Sequence, residues 1–89
     1  MNNNYWKGKN VFITGINGFI GGNLAKLLNK KGANIFGLIR NPNNKTFLHF
    51  EGIDKDIVLI NGDLCDKELI SRIISEEQID TVFHLAAQV

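Results

Sequence analysis

The chain has 89 residues, of which 44% are hydrophobic and 21% are charged, and its net charge is +1. This is the balance of one small globular domain, and the charge gives no sign of a surface that binds nucleic acid or a membrane. The single cysteine, Cys65, excludes an internal disulfide and fits a reducing compartment, and we expect its side chain to be half-buried. The first ten residues contain no long apolar core, and no apolar run approaches the roughly 20 residues of a membrane span. We therefore expect no secretory signal and a soluble, cytoplasmic protein.

Strand and helix signals alternate along the chain. Short runs rich in β-branched and apolar side chains predict strands at residues 10–14, 34–39, 57–60 and 81–85. Apolar residues at helical spacing predict helices at residues 19–31 and 66–78, and a further short helix is expected at residues 46–50. Gly32 is a natural stop for the first helix, and Asp66 is a natural N-cap for the helix after the third strand.

The order of these elements predicts an α/β fold. Because the strands are mostly continuous apolar runs, they suit a parallel sheet that is covered on both faces. Right-handed crossovers then give a doubly wound sheet with the strand order 3-2-1-4. We expect residues 1–9 to form a loose tail and residues 10–89 to form this part of the domain.

Three glycines follow the first strand in the pattern Gly15-x-x-Gly18-x-x-Gly21. A tight turn favours glycine at its start, a side chain at the second glycine would block a pyrophosphate, and the third glycine lets the helix pack closely on the strands. The amino terminus of the helix then offers N–H groups and the positive end of its dipole to the phosphates. We therefore predict phosphate binding here, and the alternative is a turn that is merely tight.

The chain resembles the extended short-chain dehydrogenase/reductase superfamily in two segments, TGINGFIGGNLAKLL and VFHLAA. Within that superfamily it is similar to the nucleotide-sugar epimerases and 4,6-dehydratases, including those acting on CDP-glucose and GDP-mannose, and the resemblance runs from Trp6 to Val89. It implies the N-terminal part of a Rossmann-type NAD(P)-binding domain. It further implies a nucleotide-sugar substrate and a homo-oligomer for the full-length enzyme.

The resemblance also implies which residues contact the cofactor. The glycine turn and the aromatic-aliphatic pair after it hold the pyrophosphate. In the segment GDLCD the first aspartate reaches the adenine and the next residue packs beside it, while small residues after the fourth strand lie along the cofactor. The cofactor-binding residues implied in this way are Gly15, Asn17, Gly18, Phe19, Ile20, Gly21, Asp63, Leu64, Ala86 and Ala87.

Several residues near the third and fourth strands also have a plainer interpretation. Asp63 could simply end a strand, since Asn-Gly-Asp is typical of turns. Ala86 and Ala87 alone would be ordinary core residues. His84 is interpreted as a core residue, or as one that contacts the site residues without touching the ligand, and it is given no catalytic role. For Gln88, both a side chain that faces the site and one that does not are left open.

The end of the second strand bears on which nicotinamide cofactor binds. NAD sites usually place an acidic residue there, whereas NADP sites tend to use arginine. This chain has Ile39 at that position, followed by Arg40, whose guanidinium can make two charge-assisted bonds to a phosphate. We therefore predict NADP rather than NAD, with Asn41 and Lys45 as candidate helpers. The alternative is that Arg40 is a solvated loop residue.

The catalytic residues of the family lie outside the matching sequence. Its Ser or Thr and its Tyr-x-x-x-Lys pair follow the fourth strand, whereas this chain stops at Val89. Tyr5 and Lys9 have that spacing, but a glycine separates them and they precede the first strand, at the wrong end of the sheet. We expect no catalytic residue and no metal site, so that the chain is the dinucleotide-binding portion of an enzyme. The alternatives are a non-catalytic NAD(P)-binding module, such as a redox-sensing regulator, or an unrelated phosphate-binding domain.

Overall fold

The computed structural model describes residues 5–16, 19–40 and 56–85, and within them the α/β fold is confirmed. Strands and helices alternate along the chain. The elements are β1 (Asn10–Thr14), α1 (Phe19–Lys30), β2 (Asn34–Ile39), β3 (Val58–Asn61), α2 (Lys67–Glu76) and β4 (Thr81–His84). The short helix expected at residues 46–50 lies outside the described residues. No described helix is long and apolar enough to cross a membrane.

The four strands form one parallel sheet in the order β3-β2-β1-β4, which confirms the predicted topology. β1 lies in the middle, with Ile13 beside Gly37 of β2 on one side and beside Phe83 of β4 on the other. Because every pair is parallel, all four strands end at the same edge of the sheet. That edge is where ligands bind in open α/β sheets.

Each face of the sheet carries its own apolar cluster. Alternate residues of β1 point to opposite faces, so Val11 and Ile13 join the cluster under α1, whereas Phe12 joins the cluster under α2. This two-sided burial explains why β1 and β2 are continuous apolar runs. The outer strands differ, since Val58 of β3 is 52% exposed and Val82 of β4 is 46% exposed.

The predicted helix ends are confirmed within one or two residues. α1 ends at Lys30, and Gly32 follows with a φ of +89°, a conformation that favours glycine. At the start of α2, the carboxylate of Asp66 accepts a hydrogen bond from the backbone N–H of Leu69 at 3.1 Å. α2 ends at Glu76, two residues earlier than expected.

A polar cluster at the opposite, amino-terminal edge ties three segments together. The side chain of Asn10 donates to the carbonyls of Glu77 and Gln78 after α2, at 3.0 and 3.2 Å. Its backbone N–H donates to the Asp80 carboxylate at 2.8 Å, and its amide oxygen accepts from the Asn34 side chain at 3.0 Å. Asn10 thereby links β1 to β2 and to the loop that leads into β4.

The surroundings of two residues, Trp6 and Cys65, show how each side chain is placed. Trp6 packs against the cluster under α1, with its ring 6.0 Å from that of Phe83, so this residue is a packing residue. Cys65 is exposed, and the expectation of a half-buried side chain was wrong. Cys65 belongs to the short loop between β3 and α2.

Candidate functional site

The candidate site lies along the carboxyl-terminal edge of the sheet. The strands end there at Thr14, Ile39, Asn61 and His84. The first two residues after each of β1, β2 and β3 are therefore close in space although they are far apart in sequence. Among them are Gly15, Arg40 and Asp63, three of the residues that the sequence analysis assigned to a cofactor.

The turn after β1 and the first part of α1 each require glycine at one position that the structure describes. Gly15 has a φ of +73°, in the left-handed region that residues with a side chain rarely adopt. A Cβ atom on Gly21 would collide with the carbonyl oxygen of Gly15 and would lie 2.9 Å from the Cα of Ile16. The helix therefore passes so close to the turn that only glycine fits, as the sequence analysis expected for the third glycine.

The turn also packs on the sheet through a contact between Ile16 and Gly37 that was not predicted from the sequence. Ile16 is fully buried, and its side chain lies over Gly37 in the middle of β2. A Cβ atom on Gly37 would lie only 2.6 Å from the Cδ1 of Ile16. A glycine inside an otherwise apolar strand was the signal that could have indicated this close approach.

The first turn of α1 presents two large apolar side chains to solvent. Phe19 is 74% exposed and Ile20 is 71% exposed. The first N–H groups of a helix have no acceptor within the helix, and they carry the positive end of its dipole. The start of α1 thus places the positive end of the helix dipole beside an exposed apolar surface, at the edge where the strands end.

Arg40 and Asp63 lie next to each other, a proximity that the sequence analysis did not predict. The Nε of Arg40 lies 3.8 Å from the Oδ2 of Asp63, and the two side chains are 84% and 48% exposed. The other oxygen, Oδ1, accepts a hydrogen bond from the Cys65 backbone N–H at 2.9 Å. This N–H bond, together with the nearby guanidinium charge, lowers the pKa of Asp63 below its ordinary value of 3.8. The edge therefore carries a fixed carboxylate and a largely solvated guanidinium side by side.

Leu64 and His84 line a groove of about 380 Å³ between β4, β1 and α2. Its other lining residues are Phe12, Thr14, Lys67, Ile70, Ser71 and Val82. His84 is exposed, and its Nδ1 lies 2.9 Å from the hydroxyl oxygen of the buried Thr14. The interpretation of His84 as a core residue is therefore wrong, whereas a supporting position beside the site fits its contacts.

The structure places every described residue of the predicted cofactor site at one edge of the sheet. Those placed there, by the strand ends or by the start of α1, are Gly15, Phe19, Ile20, Gly21, Arg40, Asp63 and Leu64. The predicted residues Asn17, Gly18, Ala86 and Ala87 lie outside the described residues, as do Asn41, Lys45 and Gln88. At the opposite edge, Lys9 lies over the ring of Tyr5 at 5.3 Å, far from this site. Within the described ranges, no group of three or more potential ligands could hold a metal ion.

Comparison with known proteins places the chain in a family. The family model of GDP-mannose 4,6 dehydratase matches residues 12–89. GDP-mannose 4,6-dehydratase sdnI of Sordaria araneosa is 36% identical over 80 residues, which are 90% of this chain and 15% of that protein. Cinnamoyl-CoA reductase 1 of Arabidopsis thaliana is 34% identical over 85 residues, which are 92% of this chain and 24% of that protein.

A solved structure agrees with this placement. The Bordetella bronchiseptica enzyme WbmH, in complex with NAD+, has a TM-score of 0.75 and 31% identity, over 92% of this chain and 27% of its own. The chain thus spans between 15% and 27% of the length of these three proteins. The family match covers residues 12–89 and so includes the glycine turn at the end of β1. The chain therefore belongs to the GDP-mannose 4,6 dehydratase family, a nucleotide-sugar branch of the extended short-chain dehydrogenase/reductases.

Proposed function

We propose that the chain is the dinucleotide-binding portion of a nucleotide-sugar 4,6-dehydratase or epimerase, in which bound NAD(P) exchanges hydride with the sugar. The observation that carries this proposal is the turn at Gly15 and Gly21, which brings the start of α1 against the end of β1. A turn of this kind leaves room for a pyrophosphate beside backbone N–H groups. The residues that transfer protons to and from the sugar belong to another part of the enzyme.

The cofactor would lie along the carboxyl-terminal edge of the sheet. Its pyrophosphate would lie at the first turn of α1, before Phe19 and Ile20. Asp63 would accept a hydrogen bond from the adenine amino group, with Leu64 packed beside the ring. WbmH was solved with NAD+, which supports a nicotinamide dinucleotide as the ligand. The chain is also similar to a cinnamoyl-CoA reductase, as expected if enzymes with different substrates share this cofactor-binding segment. The proposal of a sugar substrate therefore depends on the match to the family model and not on the cofactor segment.

The preference for NADP over NAD rests on Arg40. Its side chain is 84% exposed, so the guanidinium can reach a ligand, and the preceding Ile39 provides no carboxylate for a ribose 2′-hydroxyl. A charged hydrogen bond to the 2′-phosphate contributes about 1.5–3 kcal/mol, or roughly ten- to a hundredfold in affinity. Asp63 competes for the same guanidinium at 3.8 Å, which favours the lower end of that range.

Binding measurements with the 89-residue chain test both proposals. We expect NADP+ to bind more tightly than NAD+, and both to bind more tightly than ADP. Arg40→Ala should remove the preference for NADP+ and leave the affinity for NAD+ nearly unchanged. Arg72→Ala, which removes an exposed guanidinium from α2, is the matched control and should keep the preference. Titration calorimetry gives each dissociation constant.

Different outcomes contradict different parts of the proposal. Equal or tighter binding of NAD+, or an unchanged preference in Arg40→Ala, rules out the role of Arg40. Equal affinity for ADP and for the dinucleotides contradicts the recognition of a nicotinamide dinucleotide by this chain. If the full-length protein that contains this chain has no Tyr-x-x-x-Lys pair on a helix, a non-catalytic or redox-sensing NAD(P)-binding module becomes the better interpretation. We also propose that the full-length enzyme is a soluble homo-oligomer that binds a nucleotide sugar.

A further inference from the structure

A buried hydroxyl connects the ends of β1 and β4 at the candidate site. Thr14 is the last residue of β1, is only 2% exposed, and lies beside His84 in the register of the two strands. Its hydroxyl oxygen is 2.9 Å from the Nδ1 of His84. The backbone N–H of Leu85 donates to that hydroxyl and to the Thr14 carbonyl, each at 3.2 Å. The function proposed above does not use these contacts.

The chemistry of the three groups favours one direction for these bonds. The Leu85 N–H can only donate, so the Thr14 hydroxyl oxygen accepts from it. When the hydroxyl proton is then donated to Nδ1, the bonds run head to tail from amide to hydroxyl to imidazole, and each bond polarises the next. In the reverse arrangement the amide and the imidazole would both donate to the hydroxyl oxygen, and the hydroxyl proton would have to go to a different acceptor. An accepting Nδ1 places the proton of a neutral imidazole on Nε2.

The imidazole geometry directs Nε2 away from Thr14. His84 is exposed and lines the groove beside α2, together with Lys67 and Ser71. The ring therefore presents an N–H donor at the edge where the strands end. The backbone that follows Leu85 leads into the residues that the family resemblance places along the cofactor.

We propose that Thr14 is a positioning residue whose hydroxyl, which accepts from the Leu85 amide, donates to the His84 imidazole and holds it as the Nε2–H tautomer beside the dinucleotide. The hydrogen-bonded arrangement itself is independent of any ligand. Its effect on dinucleotide binding rests on the function proposed above.

Nitrogen NMR of the unliganded chain tests the arrangement first. At a pH where His84 is neutral, we expect an unprotonated, accepting Nδ1, a protonated Nε2 and an observable Thr14 hydroxyl proton. Thr14→Val keeps the shape of the side chain but removes the hydroxyl, so the ring should then populate both tautomers. Thr14→Ser should restore the wild-type signature. A proton on Nδ1 in the wild type, or a signature that Thr14→Val leaves unchanged, overturns the proposal.

Dinucleotide binding tests the consequence. We expect Thr14→Val to weaken NADP+ binding about two- to tenfold, the range of one net hydrogen bond, and Thr14→Ser to restore it. Thr81→Val, which makes the same change at the other end of β4, is the matched control and should bind like the wild type. Because Thr14 acts through His84, adding Thr14→Val to a His84→Phe variant should cause little further loss of NADP+ affinity.

The outcomes separate this inference from the proposed function. Additive effects of the two substitutions, or wild-type affinity in Thr14→Val, overturn the positioning role while the proposed function stands. A wild-type chain that binds no dinucleotide overturns the proposed function and the cofactor part of this inference. The NMR result still decides whether Thr14 orients His84.

Discussion

Gly21 shows how a single missing side chain sets the geometry of the candidate site. Helix propensity alone favours alanine over glycine in a helix by about 1 kcal/mol. The contact with the Gly15 carbonyl opposes that preference, because the atom met by a new Cβ belongs to the backbone and cannot move away as a flexible side chain could. Steric overlap therefore outweighs propensity at this position.

We expect Gly21→Ala to lower the free energy of unfolding by about 2 kcal/mol or more, because α1 must move away from the turn. Lys30→Ala, at the exposed end of the same helix, should change it by less than about 0.5 kcal/mol. Urea unfolding can be followed by the fluorescence of Trp6, the only tryptophan, which packs on Phe83. A Gly21→Ala variant as stable as the wild type would show that helix and turn are not in close contact.

Asp63 gives the chain an acid-sensitive contribution to stability. The Cys65 N–H and the Arg40 charge make the folded-state pKa of this carboxyl lower than its ordinary value of 3.8. Its contribution is therefore fully present above the unfolded-state pKa and is lost as the pH falls through the folded-state pKa. We expect Asp63→Asn to be less stable than the wild type at neutral pH, with a difference that shrinks below about pH 4.

Melting temperatures of the two proteins between pH 7 and pH 2 measure this difference. Cys65→Ala is a useful control because it keeps the backbone N–H, the main cause of the lowered pKa, and should retain most of the pH dependence. A difference between Asp63→Asn and the wild type that stays constant or grows towards acid would contradict this origin.

The start of α2 depends on one capping side chain. The Asp66 carboxylate accepts from the Leu69 N–H and so satisfies one of the donors that a helix leaves free at its amino terminus. We expect Asp66→Ala to cost about 1 kcal/mol of unfolding free energy, and Asp66→Asn to be close to the wild type because it keeps an accepting oxygen. Thermal unfolding followed by circular dichroism compares the two variants. Equal stability of both would show that the cap contributes nothing.

At the scale of elements, local signals predicted what depends on neighbours in sequence. The glycine turn, the Asp66 cap and the Gly32 stop each lie within a few residues of the feature that they determine, and the strand order followed from right-handed crossovers. The Asn10 cluster was missed because its partners after α2 are 67 to 70 residues away. The closeness of Arg40 and Asp63 was missed for the same reason, since it depends on how β2 and β3 lie side by side.

At the scale of the whole molecule, the sheet is buried at its centre and more exposed at its sides. β1 pairs with a strand on both sides, whereas in residues 5–16, 19–40 and 56–85 β4 pairs only with β1. Val82 and Leu85 near that side are 46% and 38% exposed. A flat strand edge with exposed apolar side chains is a template for pairing with another chain.

We therefore expect the 89-residue chain to self-associate through the outer side of β4. Val82→Lys should shift it towards monomer, because a lysine on an edge strand opposes pairing with a second strand while its long stem still covers the sheet. Ser75→Lys adds the same charge on the exposed surface of α2 and should associate like the wild type. Sedimentation velocity over a concentration series measures the association of each protein. A wild type that stays monomeric, or equal association of both lysine variants, would show that the side of β4 is not the contact.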